Sequence, residues 1–589
     1  MKKNFAAILA IFLSAAFLPA AKAAEPAKGG AAFSRGVLKI LEEIPVQQGG
    51  RVKPFQSFAQ EAVLYVTGRQ KFGGEAPTAL VWEWMSAGEA WASRPIIPVS
   101  YHALRKEFGL MLVNNRISAE VVLQHGPFTQ LVKEAAMKRE RKDKLTVLEK
   151  KRLELYERAV FFENIAQDAV PGFVAHPEDP RAGWLPVQSF VSVQGQEILG
   201  QFFSPELSER LTGATAALLK EIRDAQDSGA AVSAGTAEAF SQSLGALFES
   251  RGIRLDKSVL GKEITYLRLR PFHLAWMFYF LSLIVSLAGA AVRRKGSYGV
   301  ERPSAAVNAL TYAGLGLFAA AFSIHTFGFV LRCMVAGRPP VTNMYESMIW
   351  VSWAAAFISL ILYFFYKNLV IRNSAAVVAG FALLLAQSFP VALNPAISPL
   401  VPVLRNNMWL TIHVLTITMS YGAFLLAWAL GHGTVTTFAF SPENVEKQRR
   451  LSQYLYRTLQ VGVVLLAAGT ILGGVWANYS WGRFWGWDPK ETWALIALLG
   501  YLVVLHARFA GWAGNFGIAL GSCFAFLGVL MAWYGVNFVL GAGLHSYGFG
   551  GGGIIYVLAG IAADLALLGG LAWKYKKNSS KKALAASAL

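Results

Sequence analysis

The chain of 589 residues is 54% hydrophobic, has a mean hydropathy of +0.40 and carries only 15% charged residues, a balance that excludes a soluble globular protein of this length. Its net charge of +19 would suggest nucleic acid in a soluble chain. No nucleic-acid module is visible, and many of the basic residues sit beside apolar runs, where they set membrane topology instead.

Residues 1–23 read as a secretory signal. Lys2 and Lys3 precede the apolar run from Phe5 to Leu18, and Ala21-Lys22-Ala23 is a small-residue cleavage pattern. Residues 24–270 are therefore expected to be exported as a mostly helical soluble domain. Within Thr129 to Glu163, Leu145, Leu148, Leu153, Tyr156 and Val160 recur at roughly helical spacing and predict at least one long amphipathic helix. The motif Gly49-Gly-Arg-Val-Lys-Pro-Phe55 begins like a turn and reads as a plain loop or a contact surface. His102, His125 and His176 have no companions at metal-ligand spacing and are assigned surface or structural roles.

From Pro271 the chain is a series of apolar stretches of bilayer-spanning length, at about 272–292, 307–331, 344–366, 374–391, 409–430, 458–478, 491–509, 515–538 and 553–573. The expected fold is mainly α: a polytopic membrane helix bundle of about nine spans over 271–578, with a cytoplasmic tail at 579–589. With the N-terminal domain outside, the inner junctions carry Arg293-Arg-Lys295, Lys367 with Arg372, Glu446-Lys-Gln-Arg-Arg450, Arg508 and Lys574-Tyr-Lys-Lys577. Each is basic, as the positive-inside rule requires. The segments 332–343, 392–408, 541–552 and the Trp-rich segment at 476–493 then fall on the outer side. Asn343 and Glu346 start the third span, where capping explains them as well as a ligand role. Cys333, at an outer helix end, and Cys523, inside the eighth span, form no CxxC pair. Cys523 is expected to be a small apolar packing residue.

Residues 476–493 place five of the 17 tryptophans between two apolar runs: Trp476, Trp481, Trp485, Trp487 and Trp493. Flat indole faces, glycines that admit close approach and Arg483 as a carboxylate partner describe a shelf for a planar, amphipathic, acidic molecule, a description that haem fits. The competing reading is an aromatic belt at the membrane surface. Asp488-Pro489-Lys490-Glu491 reads as a helix start, with Asp488 as N-cap, Pro at the first position and Glu completing a capping box.

His413, near the outer end of the fifth span, and His545, in the last outer loop, flank this shelf at one membrane face. Two imidazoles on opposite sides of an iron give a haem held by the protein. His506 lies near the inner end of the seventh span, over ~20 Å below the shelf at about 1.5 Å per residue, and suits a second, deeper site. His432 is a same-depth candidate to join it, while His325 and His273 fall towards the outer side. Arg332, Arg338, Arg405 and Arg483 are outer-face candidates for haem carboxylates, with solvated loop charge as the competing reading.

The run Trp485-Gly-Trp487-Asp488-Pro-Lys-Glu491 resembles the WWD signature of haem-handling membrane proteins. Together with Met408-Trp-Leu-Thr-Ile-His413, Ser420-Tyr-Gly422 and Gly337-Arg-Pro-Pro-Val-Thr-Asn343-Met-Tyr-Glu346-Ser347, it makes residues 300–575 similar to the CcsA/ResC family of system II cytochrome c biogenesis. The resemblance implies a protein of the bacterial cytoplasmic membrane. Such a protein carries haem b to the outer face and presents it for covalent attachment to the CxxCH thiols of apocytochrome c. His413 and His545 would be its external axial ligands and the pair that acts in attachment. The segment holding Trp481, Arg483, Trp485, Trp487 and Asp488 would grip the macrocycle, and His506 would ligate the deeper haem. The other deep ligand would come from a separate CcsB/ResB partner, or from His432 or His325. Thiol-reducing proteins would keep the apocytochrome cysteines reduced. Two rival classes bind haem through the same residues: a delivery subunit that forms no thioether, and a redox protein with permanent haems.

Overall fold

The structure is a computed structural model that describes residues 33–176, 179, 183–292, 305–399, 408–540 and 553–587. The signal at 1–23, Arg293-Arg-Lys295, Arg405 and His545 lie outside the described residues. Among the described residues, one compact unit is built from the chain up to Arg268 with Ala396–Pro399, and a second from Leu269–Pro395 and the chain beyond residue 400.

The N-terminal unit is mostly helical, as its composition predicts. The long amphipathic stretch is two helices, Gly126–Glu140 and Val147–Ala166. Lys142 takes a left-handed backbone (φ 62°) between them, and a capping box of Thr146 and Glu149 starts the second helix. A four-stranded antiparallel sheet went unseen in the sequence because its strands are only two to four residues long; its order is Arg51–Pro54, Pro45–Gln48, Gly172–Val174, Leu185–Pro186. The Gly49-Gly50 pair is the hairpin turn between the first two of these strands, with φ of 62° and 76° that suit glycine. Arg51, just after it, is held bidentately by Glu263 (2.5 and 2.8 Å) and so serves the packing of this unit. The core is aromatic: Phe55 stacks on Trp82 at 4.9 Å between ring centroids, with Phe173 and Phe240 against the same indole.

The second unit contains nine helices, among the described residues, long and apolar enough to cross a membrane. In chain order they are α1 (Pro271–Val292), α2 (Ala305–Ala336), α3 (Met344–Tyr366), α4 (Leu369–Ser388), α5 (Met408–Phe440), α6 (Val445–Trp481), α7 (Pro489–Phe509), α8 (Asn515–Leu530) and α9 (Ile554–Ser587). The count and order match the sequence pattern. α8 passes without a break into a π-helical segment, Met531–Leu540.

The helices differ most from the apolar stretches in α5 and α6, which have 33 and 37 residues and reach about 50 and 55 Å at 1.5 Å per residue. α6 extends beyond a bilayer core of about 30 Å because residues 445–457 are good helix formers, started by Asn444 and carrying a Glu446–Arg450 pair four residues apart. Arg372, expected among the inner surface charges, is fully buried, donating to Ser286 Oγ within the bundle.

Candidate functional site

The segment that joins α6 to α7 begins as helix. Trp476 and Trp481 are in the last turns of α6, which Gly482 ends in a left-handed C-cap. Residues 483–488 then cross to α7. Asp488 caps α7 as the sequence predicts: its Oδ1 accepts from Lys490 N at 3.0 Å, and Glu491 Oε2 returns to the amides of Gly486 (2.8 Å) and Asp488 (3.1 Å). The carboxylates of this turn therefore hold its own backbone. Trp487, the residue before the cap, adopts φ 56°, a strained backbone for a bulky residue, and its side chain is 69% exposed.

A cavity of about 400 Å³ lies against this turn. It is within the range of small-molecule sites. Its walls come from four separate stretches of sequence. Residues 337–347 supply Arg338, Thr342, Met344 and Ser347; α5 supplies Met408, Thr411, His413, Ile417 and Tyr421. Gly473, Gly474, Trp476 and Trp485 form a third side, and Lys490, Glu491, Trp533, Asn537 and Phe538 close it. The motifs that the sequence singled out thus meet around one mainly apolar space.

His413 is the ring best fixed for ligation. Its Nδ1 lies 2.7 Å from the Gly469 carbonyl oxygen. A carbonyl only accepts, so Nδ1 carries the proton and the lone pair is on Nε2. A metal-binding histidine is commonly oriented in this way by a carbonyl on its other nitrogen. Gly473 makes room for the ring: a Cβ there would come within 2.5 Å of His413 Cε1. The Trp476 ring is nearly parallel to the imidazole (6°), with centroids 6.4 Å apart.

The other expected site residues are distributed unevenly. Trp485 lines the cavity, with Trp487 edge-on to it at 5.8 Å. Trp481 packs edge-on against Trp476 at 4.6 Å and supports it from behind. Arg483 folds over Gly486, with a guanidinium nitrogen 0.8 Å from where a Cβ would stand, and makes no ion pair among the described residues. His506 is exposed on α7; its Nδ1 donates to the Leu502 carbonyl at 2.7 Å, which again leaves the lone pair on Nε2.

Two arginine candidates have a carboxylate partner inside the protein. Arg332 is fully buried and holds Glu346 Oε1 through Nε (3.1 Å) and Nη2 (2.9 Å). Arg338 Nη1 reaches Glu346 Oε2 at 3.0 Å, and the Thr342 amide and hydroxyl donate to the same oxygen. Glu346 is thus the anchor of the 337–346 loop, in addition to receiving the Asn343 cap at its amide.

His325 and His432 are engaged elsewhere. His325 Nε2 donates to the Ile349 carbonyl (3.0 Å) and its Nδ1 receives the Tyr279 hydroxyl (3.4 Å), which pins α1, α2 and α3 together. His432 Nε2 lies 2.8 Å from Asp564 Oδ1 of α9, and its Nδ1 lies 2.9 Å from the Trp428 carbonyl. Cys523 is buried as expected, but it is more than apolar filling: its Sγ is 3.4 Å from His432 Nδ1.

Sequence reasoning missed Gly473, Lys490, Trp533 and Asn537. The spacing of Gly469 and Gly473 on α6 was a usable signal, because small residues four apart let helices approach closely. The i, i+4 pair Trp533–Asn537 was hidden in an apolar run.

Comparison with known proteins supports the same region. Residues 341–545 match the family of cytochrome C assembly proteins. The chain is 34% identical over 268 residues to the cytochrome c biogenesis protein CcsA of Prochlorococcus marinus strain MIT 9303, covering 40% of this chain and 83% of that protein. It is 33% identical over 284 residues to the CcsA of Chlorella vulgaris, covering 41% and 88%. Protein NrfI of Wolinella succinogenes is 29% identical over 538 residues, covering 89% of this chain but 56% of NrfI, so the chain spans little more than half of that relative.

Proposed function

This chain belongs to the cytochrome c assembly protein family, and from that premise we propose that it holds haem b at the outer face of the membrane and presents it to apocytochrome c for covalent attachment. One observation carries the proposal: His413, with its proton fixed on Nδ1, lines a cavity bounded by Trp476 and Trp485 of the Trp-rich turn. Nε2 would bind the iron, and the indoles would hold the macrocycle by its faces. His545 would supply the opposite ligand and yield it when the CxxCH histidine of the apocytochrome arrives. The chain's own part is to hold two reactants in register while each cysteine thiol adds across a haem vinyl group, which replaces much of a bimolecular barrier.

We further propose that His506 serves a deeper haem on the way to the outer site, with its second ligand from a CcsB/ResB-like membrane partner. His506 is exposed on α7 beside Leu499 and Val503, while His325 and His432 are engaged inside the bundle. The setting would be the bacterial cytoplasmic membrane with the N-terminal unit outside. Cys333 and Cys523 lie on different helices and form no dithiol, so separate thiol-reducing proteins would keep the substrate cysteines reduced.

The test is to express the chain with apocytochrome c, with and without a CcsB/ResB-like partner, in cells lacking their own assembly system. Haem stain of the denatured cytochrome is the readout. Covalent haem that disappears in His413→Ala and His545→Ala is expected. Haem that copurifies with the chain but never becomes covalent in either setting would instead define a delivery subunit.

A further inference from the structure

We infer that Lys490 is the cation that receives a carboxylate of the cavity's cargo, and that Asn537 positions it. The inference rests on the haem reading above and extends it to the acidic edge of the molecule. Lys490 is the second residue of α7, and its side chain lines the cavity together with His413. Its ammonium donates to Asn537 Oδ1 at 3.2 Å and makes no ion pair among the described residues. Among the nearby carboxylates, Glu491 Oε2 and Asp488 Oδ1 hold the backbone of the turn, Glu491 Oε1 is buried without a hydrogen-bond partner among the described residues, and Glu346 is shared by Arg332 and Arg338.

Lys490 is partly buried in a cavity whose lining is mainly apolar, and an amide oxygen offsets only part of the cost of drawing an ammonium out of water. A carboxylate entering the cavity would complete the pair. The protein also fixes where that pair forms. Asn537 Nδ2 donates to the Trp533 carbonyl at 2.8 Å, and the Trp533 indole donates to Ser347 Oγ at 2.9 Å. This chain of bonds runs from α3 through the π-helical segment to α7 and holds the amide oxygen towards Lys490. His413 and Lys490 line the same cavity, so a porphyrin held at His413 Nε2 would be held a second time through a carboxylate on Lys490.

The experiment uses the full chain in detergent, titrated with ferrous haem b and with iron protoporphyrin IX dimethyl ester, whose ring is the same but whose carboxylates are capped. Soret absorbance reports binding. The wild type is expected to favour the diacid by about tenfold or more, one ion pair's worth of discrimination. Lys490→Met should bring the two porphyrins to within about twofold while leaving ester binding intact. Lys490→Arg should keep a preference, and Asn537→Ala, which retains the ammonium, should lower it. Full preference in Lys490→Met, or no preference in the wild type, overturns the assignment. Absence of any His413-dependent Soret band with either porphyrin overturns the haem reading itself.

Discussion

Gly473→Ala should disable the proposed His413 site without unfolding the chain. The new Cβ would stand 2.5 Å from His413 Cε1 and 2.8 Å from Nδ1. Ordinary carbon contacts lie at about 3.5–4.0 Å, so the imidazole must move by about 1 Å. Overpacking of this kind costs about 1–3 kcal/mol, and losing the 2.7 Å bond to the Gly469 carbonyl costs a further 0.5–1.5 kcal/mol or so. Alanine in place of glycine inside a helix offsets about 0.5–1 kcal/mol of this. The net loss of stability is therefore about 0.5–4 kcal/mol, small enough for the fold to survive. The effect on ligation is larger in relative terms, because a displaced carbonyl partner typically lowers metal affinity about 10–100-fold. Soret titration of the detergent-purified chain with ferrous haem, alongside thermal unfolding, measures both quantities. Gly433→Ala on α5 is the control, since a Cβ there meets nothing within 4 Å. Wild-type haem affinity in Gly473→Ala would refute the claim that this glycine exists to place His413.

Two further outcomes follow from charges that the fold has buried. Glu346→Gln leaves the Arg332 and Arg338 guanidiniums facing one another without their carboxylate, and should destabilise the chain by about 3–5 kcal/mol in thermal unfolding; a melting temperature equal to wild type would show that the cluster is not an ion pair. In the N-terminal unit, burial pushes the Asp168 carboxyl up to about 7, opposed by the nearby Arg223 guanidinium. The native state then holds a proton that the unfolded chain has released above about pH 4, so stability is greatest at low pH and is lost as pH rises from about 4 through 7. At about 1.36 kcal/mol per unit the effect is at most about 4 kcal/mol, and Asp168→Asn should match wild type at about pH 3 and exceed it at pH 8. A variant less stable than wild type at pH 8 would reverse the sign and reject the assignment.

How much of this was legible in the sequence depended on the range of the signal. Spanning helices are local, since a run of apolar residues long enough to cross a bilayer has few alternatives, and all nine among the described residues were visible. The start of α7 was equally local: Asp488, Pro489 and Glu491 form the capping box that their spacing predicts. The aromatic shelf was legible in composition but not in direction. Trp485 faces the cavity while Trp487, two residues on, is 69% exposed, because a left-handed residue at 487 turns the chain before the cap. The arginines could not be sorted at all from sequence. Whether a guanidinium waits for a ligand or is already paired depends on Glu346, fourteen residues from Arg332 and reached only after α2 and α3 have packed. Lys490 was read as part of a helix start; its place in the cavity depends on Asn537, 47 residues away.

Depth in the membrane was the sequence's way of ranking the histidines, and hydrogen bonding ranks them on firmer chemical ground. An imidazole can ligate only through a nitrogen that keeps its lone pair. His273 Nδ1 accepts the Trp276 indole N–H, and His325 and His432 have both nitrogens engaged within the bundle. His413 and His506 differ from these three: each donates Nδ1–H to a backbone carbonyl at 2.7 Å and so presents Nε2 as an acceptor. The two are the same in chemistry and opposite in setting. His413 is held by a carbonyl of another helix, and Gly473 keeps its space open, so its ring is fixed before cargo arrives. His506 is held only by its own helix, beside Leu499 and Val503 on an exposed face. In the haem reading proposed above, the first arrangement would suit a site that retains haem while thioethers form, and the second a site that passes haem onward to or from a partner.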